Sequence, residues 1–150
     1  MSVVFRAVLP IPPSVNESLQ PVRLPGGALR LAHTAEARRW ASKAHLLLLT
    51  VRRPTELRRG PLAMRLKVHV ATIASDGGNR LKLLEDALVK ARVIGDDRQI
   101  AEWEIVKVVG DGEPRVEVEL RQASLAEHPE LAQRLAIAEN KQGKRKAGRS

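Results

Sequence analysis

The most constraining feature of this sequence is the strict alternation over residues 62–70, which stops at an Asp-Gly-Gly-Asn break. Apolar side chains take every second position, and Arg65, Lys67 and His69 lie between them. A period of two is typical of a strand with one buried face. The segment therefore predicts a half-buried strand whose open face is basic, and the break at 76–79 predicts a turn.

A helix is predicted directly after this turn, from about 79 to 91, because apolar residues recur at helical spacing. Such a helix is ~20 Å long. Asp76 precedes it, whereas Asp96 and Asp97 follow it, so these acids meet only if the chain folds back along a sheet. The residues expected to face inward are Leu81, Leu84, Ala87, Leu88 and Ala91.

Local patterns predict the remaining elements. The proline-rich segment cannot form a helix or a central strand, because proline lacks the donor N–H. Thr34 is a good helix cap, and Pro54 limits the helix that follows it. That helix should turn Ala37, Trp40, Ala41, Ala44, Leu47, Leu48 and Val51 inward. The other predictions are a strand over 2–9, a hairpin over 24–32 turning at Gly26-Gly27, a hairpin of 102–109 with 115–121, and a helix over 125–139.

The 150 residues, 43% of them hydrophobic, are enough for one domain with a real core. We expect an α/β fold of the α+β type, with a small mixed sheet and two helices packed on one face. The folded domain would span 1–122, a helical extension 123–140, and a disordered basic tail 141–150. The absence of Cys, of a ~20-residue apolar run and of a signal-peptide pattern predicts a cytoplasmic protein without a membrane partner.

The charge points to a polyanionic partner. Lys and Arg number 26 against 17 acids, for a net charge of +9, and nucleic acid is the usual partner of such a chain. Between residues 38 and 67 the only acid is Glu56, and a one-sign stretch favours phosphate binding. Aromatic residues make up only 2%, which argues against base stacking. The predicted DNA-binding residues are Arg38, Arg39, Lys43, Arg52, Arg53, Arg58, Arg59, Arg65 and Lys67.

The acids within this basic chain form a candidate metal site. Carboxylates gathered in a phosphate-binding surface favour magnesium, which prefers oxygen ligands, and Lys82 could stabilise charge on a phosphate. Each piece also has an ordinary explanation. The sequence DGGN makes a good turn, the Asp-Asp pair suits a loop, and Lys82 with Asp86 is an i, i+4 pair on a helix surface.

Two stretches resemble the RusA family of Holliday-junction resolvases: LPIPPSVN at 9–16 and SDGGNRLKLLEDALVKARVIGDDRQI at 75–100. The first is similar to the family's Leu-Pro-x-Pro-Pro-Ser-x-Asn. The second is similar to Asp-x-Asp-Asn, followed by Lys, Asp-Ala-Leu and Asp-Asp. The resemblance implies a homodimeric endodeoxyribonuclease that cuts four-way DNA junctions with magnesium, or manganese, in DNA recombination and repair.

The resemblance also assigns roles by position. It makes Asp76, Lys82 and Asp97 the catalytic residues, and it makes Asp76, Asp97 and the weaker neighbour Asp96 the metal ligands. Its structural motif positions are Pro12, Pro13, Asn16, Asn79 and Asp86.

One position departs from the motif, because Gly78 stands where the family has the second acid of Asp-x-Asp. Loss of such a carboxylate should weaken metal binding strongly. Three accounts follow: a junction binder that no longer cuts, a substitute acid such as Glu85, or a recent lesion in a decaying prophage copy. Glu85 lies ~10 Å along the helix. Arg92, where the family often has Gly, is a smaller departure.

Overall fold

The structure is a computed structural model that describes residues 3–13, 19–71, 81–110, 112–124 and 130. The predicted fold class is confirmed, since a mixed sheet is combined with two helices. The elements in chain order are strands β1 (Val4–Pro10), β2 (Leu19–Arg23) and β3 (Leu29–His33), helix α1 (Ala35–Leu49), a 3-10 turn (Thr55–Arg58), strand β4 (Leu62–Val70), helix α2 (Leu81–Lys90), a second 3-10 turn (Asp97–Gln99), and strands β5 (Ile100–Val109) and β6 (Arg115–Gln122).

The main sheet has the strand order β1-β6-β4-β5. Strand β4 pairs in parallel with β5 and antiparallel with β6, and β6 pairs antiparallel with β1. A parallel pair needs a crossover connection, and α2 lies within it. The predicted strand-helix-strand return along the sheet is therefore present, whereas Asp76 and the turn at 76–79 lie outside the described residues.

The predicted hairpin of 102–109 with 115–121 is wrong. Strands β5 and β6 lie on opposite sides of β4, so that Leu66 is opposite both Ile105 and Val118. Adjacent strands lie ~4.8 Å apart, so the short link between β5 and β6 only has to cross the end of one strand. Gly110 begins that link with φ 72° and donates its N–H to Val70 O at 3.0 Å.

One face of the sheet carries the core. The alternate residues of β1, β4 and β6 that point to this face are buried together with the inner faces of both helices, as predicted. In α1 the Thr34 side chain accepts a hydrogen bond from Ala37 N at 3.2 Å, which confirms the cap. Leu47 is an exception to its predicted inward position, with 37% of its surface exposed. The leucine run 46–49 is longer than one helix face, and Leu48 is the residue that is buried.

Trp40 joins α1 to the proline-rich segment. Its indole N–H donates to Pro10 O at 2.8 Å, and the side chain is 6% exposed. Pro12 and Pro13 are buried within the same chain. This part of the proline motif is therefore integral to the fold of one subunit, whereas Asn16 lies outside the described residues.

Helix α2 ends in a turn of left-handed conformation. Arg92 has φ 58°, its N–H donates to Val89 O at 3.0 Å, and Val93 N donates to Leu88 O at 3.0 Å. This pair of bonds is the Schellman arrangement, in which glycine is the usual residue at the left-handed position. Arg92, which stands where the family often has Gly, therefore occupies a backbone position that favours glycine.

Strands β2 and β3 form a hairpin that turns at Gly26-Gly27, as predicted, but it begins at Leu19, before the predicted range of 24–32. Both glycines have positive φ, 94° and 89°. The predicted C-terminal helix and the basic tail lie outside the described residues, apart from Glu130, which is helical. In the described part of the chain, none of the helices combines the length and the apolar character needed to span a membrane.

Candidate active site

Lys82 brings two parts of the predicted motif together. It lies in the first turn of α2, and its Nζ is 3.1 Å from Asp86 Oδ1 and 3.3 Å from Asp97 Oδ2. The contact with Asp86 is the ordinary pair of a helix surface. The contact with Asp97 crosses fifteen residues of sequence and exists only because the chain returns along α2. The structure therefore joins the predicted catalytic Lys to the predicted essential acid.

Both acids act on the charge of Lys82. The hydrogen bond to Asp86, and then the one to Asp97, raise the pKa of Lys82 above its usual value of 10.5. The side chain is 64% exposed, so the ammonium group is charged at neutral pH and open to solvent. A charged, accessible ammonium group beside a carboxylate is suited to binding a phosphate.

The carboxylate of Asp96 contacts Arg98, whereas that of Asp97 contacts Lys82. The Asp96 carboxylate caps the 3-10 turn by accepting from Arg98 N at 2.8 Å, and Arg98 Nη2 donates to Asp96 Oδ2 at 2.7 Å. These bonds with Arg98, the side-chain bond first, lower the pKa of Asp96 to about 2. Asp96 as a metal ligand stays a prediction, and it would have to share its oxygens with Arg98.

Gln99 is not among the site residues predicted from the sequence. It is 2% exposed, and its amide group joins the Asp-Asp turn to residues of the preceding basic segment. The signal for it was present, since Asp96 and Gln99 have the spacing of a capping box, in which a cap residue is followed three positions later by Glu or Gln.

Glu85, the acid considered as a substitute at the Gly78 position, contacts strand β5. Trp103 Nε1 donates to Glu85 Oε1 at 3.3 Å. Burial raises the pKa of Glu85 above its usual 4.5, and the bond from Trp103 opposes that rise. Because its carboxylate already accepts this bond, Glu85 in the role of a metal ligand stays a prediction.

The described carboxylates are suited to a metal by chemistry but do not complete a site. Oxygen donors such as Asp97 are what magnesium prefers. Within the described ranges, however, no group of three or more His, Cys, Asp or Glu side chains is placed to hold a metal ion. Asp76, Gly78 and Asn79 lie outside those ranges. Asp76 as a metal ligand therefore stays a prediction.

A comparison with protein-family models decides the family. The model of endodeoxyribonuclease RusA matches residues 10–121. The chain belongs to the RusA family. The match includes the proline-rich segment, Lys82 and the Asp-Asp turn, and membership implies an endonuclease of the kind that resolves Holliday junctions. A search of curated proteins gave no match.

The RusA-family core carries the predicted DNA-binding residues in different settings. Two of them are bound to the end of α2, where Arg53 Nη1 donates to Ala91 O at 2.7 Å and Arg58 Nε donates to Arg92 O at 3.0 Å. Arg38 Nη1 donates to His33 O at 2.7 Å. The remaining members are exposed: Arg39, Lys43, Arg52, Arg59, Arg65 and Lys67.

The open face of the RusA-family sheet is not basic as predicted. Arg65 lies 3.5 Å from Glu104 of β5, and Lys67 is opposite Glu117 of β6. The sequence of β4 alone could not show that its neighbouring strands supply acids. The prediction that this face is basic is therefore corrected, because its cations and acids alternate across strands.

His69 is a second correction on the same strand. His69 lies on the same face as Arg65 and Lys67, as the alternation predicts, but it is only 5% exposed. Its Nε2 lies 3.5 Å from Glu117 Oε2. The residue therefore belongs to the buried part of the RusA-family domain and is not a site for DNA.

Proposed function

We propose that this chain is a structure-selective endodeoxyribonuclease that resolves four-way DNA junctions by magnesium-dependent phosphodiester hydrolysis, in DNA recombination and repair. The family match over residues 10–121 supports the class of activity. We also propose that the protein acts in the cytoplasm.

The observation that carries this proposal is the contact between Lys82 and Asp97. A Lys at the start of a helix and an Asp before the next strand need not lie close together. Here Lys82 Nζ and Asp97 Oδ2 are 3.3 Å apart. A nuclease requires a cation for the phosphate and a carboxylate for the metal at one place. The structure of α2 and its return turn supplies both.

The residues that would hold magnesium are Asp76 and Asp97, with Asp96 as their weaker neighbour, and manganese could replace magnesium. When bound, the metal would lower the pKa of a water molecule and neutralise charge on the phosphodiester. Asp97 presents a carboxylate with 34% of its side chain exposed. Lys82 also contacts Asp86. Its side chain would therefore stay in place when Asp97 binds a metal ion.

The exposed cations of the basic stretch would hold the DNA arms through phosphates. The chain would act as a homodimer, because symmetrical cutting of a two-fold junction needs two sites related by symmetry. Strand β1 supports this arrangement, since it lies at the end of the strand order, and Val8 on it is 58% exposed.

The alternative is a junction-binding protein with weak or absent cleavage. Its support is Gly78, which replaces a family carboxylate. A missing ligand costs metal affinity but leaves the phosphate-binding cations unchanged. A basic accessory protein without structure selectivity would instead bind junctions and duplex alike, with a steep dependence on salt.

Cleavage of a labelled four-way junction tests the proposal. The native chain, Asp97→Asn and Asp86→Asn would each be incubated with magnesium, with manganese and with a chelator, and a linear duplex of the same sequence would serve as the substrate control. We expect paired, metal-dependent nicks on the junction alone. Asp97→Asn should bind the junction and lose cleavage, whereas Asp86→Asn should retain most of it.

The outcomes separate the accounts. Selective junction binding without nicks by the native chain would favour the alternative. Equal affinity for junction and duplex would favour the accessory protein. Cleavage that persists in Asp97→Asn would contradict the assignment of the essential acid.

A further inference from the structure

Two segments that are distant in sequence are docked on each other. We call residues 51–60 the connector, which carries Arg52, Arg53, Arg58 and Arg59, and residues 95–99 the acidic turn, which carries Asp96 and Asp97. They are about 40 residues apart in sequence, yet Gln99 donates to the carbonyl oxygens of Leu57 and Gly60.

The Gln99 side chain uses both ends of its amide group. Its Nε2 donates to Gly60 O at 2.9 Å and to Leu57 O at 3.3 Å. Its Oε1 accepts from Gly95 N at 2.7 Å and from Asp96 N at 2.9 Å. A buried amide has two donor and two acceptor sites. All four of these bonds are made, and they run from the backbone of the connector to the backbone of the acidic turn.

Close packing at Gly95 supports the same docking. A Cβ atom on Gly95 would lie 2.5 Å from Arg58 O and 3.1 Å from Gln99 Oε1. A contact of that length with backbone is not tolerated without movement. The acidic turn therefore lies directly against the connector backbone, and the glycine is required by space rather than by its dihedral angles.

The docked arrangement orients cations with respect to acids. The carbonyls of Leu57 and Gly60 flank Arg58 and Arg59 in sequence, and Arg59 is exposed. On the other side of Gln99, Asp97 contacts Lys82. One buried side chain thus fixes the backbone that presents Arg59 and the backbone that presents Asp97.

We propose that Gln99 is a positioning residue, which holds the arginine-bearing connector and the acidic turn in register so that Arg59 binds a phosphate of the same DNA strand that reaches Asp97 and Lys82. This inference rests on the proposed function and adds a specific residue to it. Gln99 does not touch DNA in this account, because it is buried.

Substitutions at Gln99 can separate its two ends. Gln99→Met removes both sets of bonds. Gln99→Glu keeps acceptor oxygens for Gly95 N and Asp96 N but loses the donors to Leu57 O and Gly60 O. Gln122 offers the matched control, since it is exposed and its Nε2 donates to Glu56 O of the same connector at 3.4 Å. Gln122→Met and Gln122→Glu make the same chemical changes away from the acidic turn.

Amide hydrogen exchange tests the docking without DNA. In Gln99→Met we expect protection of the Gly95 and Asp96 amides to fall about tenfold or more, at a urea concentration where the variant remains folded. Gln99→Glu should retain that protection but lose protection at Leu57 N, which donates to Pro54 O within the connector. Unchanged exchange in both variants would overturn the proposal.

Junction binding in the presence of chelator tests the consequence. We expect both Gln99 variants to bind about fivefold more weakly, and both Gln122 variants to stay within about twofold of the native chain. Arg59→Ala should weaken binding in the native chain, but it should add little in Gln99→Met, because a displaced Arg59 no longer contributes. Additive losses would show that Gln99 supports stability alone and would overturn the positioning role.

Failure of this inference is distinguishable from failure of the proposed function. If the native chain does not bind junctions, the proposed function fails and the positioning role fails with it. If the native chain binds junctions selectively and the Gln99 variants bind equally well, only the inference about Gln99 fails.

Discussion

Arg92 shows how a single residue can conflict with the backbone that surrounds it. The end of α2 requires a left-handed residue, and Arg92 supplies it with φ 58°. The left-handed conformation is less stable by roughly 1–2 kcal/mol for a residue that has a Cβ atom. The hydrogen bonds of Arg92 N and Val93 N, together with the burial of Val93, hold the turn in place despite that penalty.

Replacement of Arg92 by Gly should therefore stabilise the protein. We expect Arg92→Gly to raise the free energy of unfolding by about 1 kcal/mol, measured by urea titration, because glycine relieves the left-handed strain. Lys90→Gly, two residues earlier within the helix, is the control and should lower the free energy of unfolding by about 1 kcal/mol. A destabilised Arg92→Gly variant would mean that the arginine side chain stabilises the turn by more than its strain costs.

The ion pair of Asp96 with Arg98 predicts a specific pH dependence of stability. Asp96 has its pKa lowered from 3.8 to about 2 in the folded protein, so its contribution is fully present above pH 3.8 and is lost as the pH falls through about 2. Arg98→Gln should lower the free energy of unfolding at neutral pH, because it removes the partner of the Asp96 carboxylate. The difference between native and variant should be constant above about pH 5 and shrink between about pH 4 and pH 2.

Urea titrations of both proteins from pH 2 to pH 7 check this prediction. Arg92→Gln removes an equal charge from an exposed arginine and is the matched control. A native–variant difference that does not change with pH would show that Arg98 stabilises the turn without acting on the Asp96 carboxylate.

Local chemistry at single residues was predictable only in part. Thr34 is a cap in the sequence and in the structure, because a cap depends on residues within one turn. The burial of His69 and the four bonds of Gln99 depend on neighbours that come from other strands and from the connector. No pattern within β4 or within the acidic turn contains that information.

At the scale of elements, α2 and its return turn determine which described residues of the candidate site meet. The period of two in β4 and the helical period of α2 are local signals, and both elements form where the sequence places them. The pairing of β5 with β4 is not local, because β5 could also have paired with β6 across a short link. The crossover of α2 settles the choice, and it also brings Asp97 to Lys82.

The contacts of the connector indicate different roles for the arginines of the basic stretch. Arg52→Ala and Arg59→Ala should each reduce the slope of log affinity against log salt by about 0.9, because an exposed arginine that contacts a phosphate releases about one counterion. Arg53→Ala should instead lower the free energy of unfolding by about 1 kcal/mol, since its bond to Ala91 O caps the end of α2.

Junction affinities at several salt concentrations and urea titrations of the same variants measure both effects. If Arg52→Ala and Arg59→Ala leave the salt slope unchanged, those side chains do not touch phosphate. If Arg53→Ala changes the slope without changing stability, its role is in DNA binding rather than in the helix cap.

At the scale of the whole molecule, the net charge of +9 and the family match agree on DNA as the partner. The open face of the main sheet carries both cations and acids, whereas the connector and α1 together carry seven cations and two acids, and residues 141–150 add five cations without an acid. Composition alone predicts a nucleic-acid partner. It does not predict which face carries the charge, because that depends on strand order.

The proposed homodimer is a prediction about the whole molecule. We expect light scattering after size exclusion, at micromolar concentration, to give twice the 16.5 kDa mass of the chain. Symmetry of the two cuts in a junction requires this stoichiometry. A monomeric mass at that concentration, for a protein that still makes paired nicks, would contradict it.

The most direct test of the central claim compares the native chain with Gly78→Asp on labelled four-way junctions in magnesium, with Asp76→Asn as the control. The account predicts paired nicks by the native chain, faster nicks by Gly78→Asp, because a restored carboxylate strengthens metal binding, and junction binding without nicks by Asp76→Asn. Binding without cleavage by the native chain, with cleavage by Gly78→Asp, would show a resolvase disabled at one ligand. Failure of both proteins to bind or cut the junction would contradict the claim that this chain is a junction-resolving endonuclease.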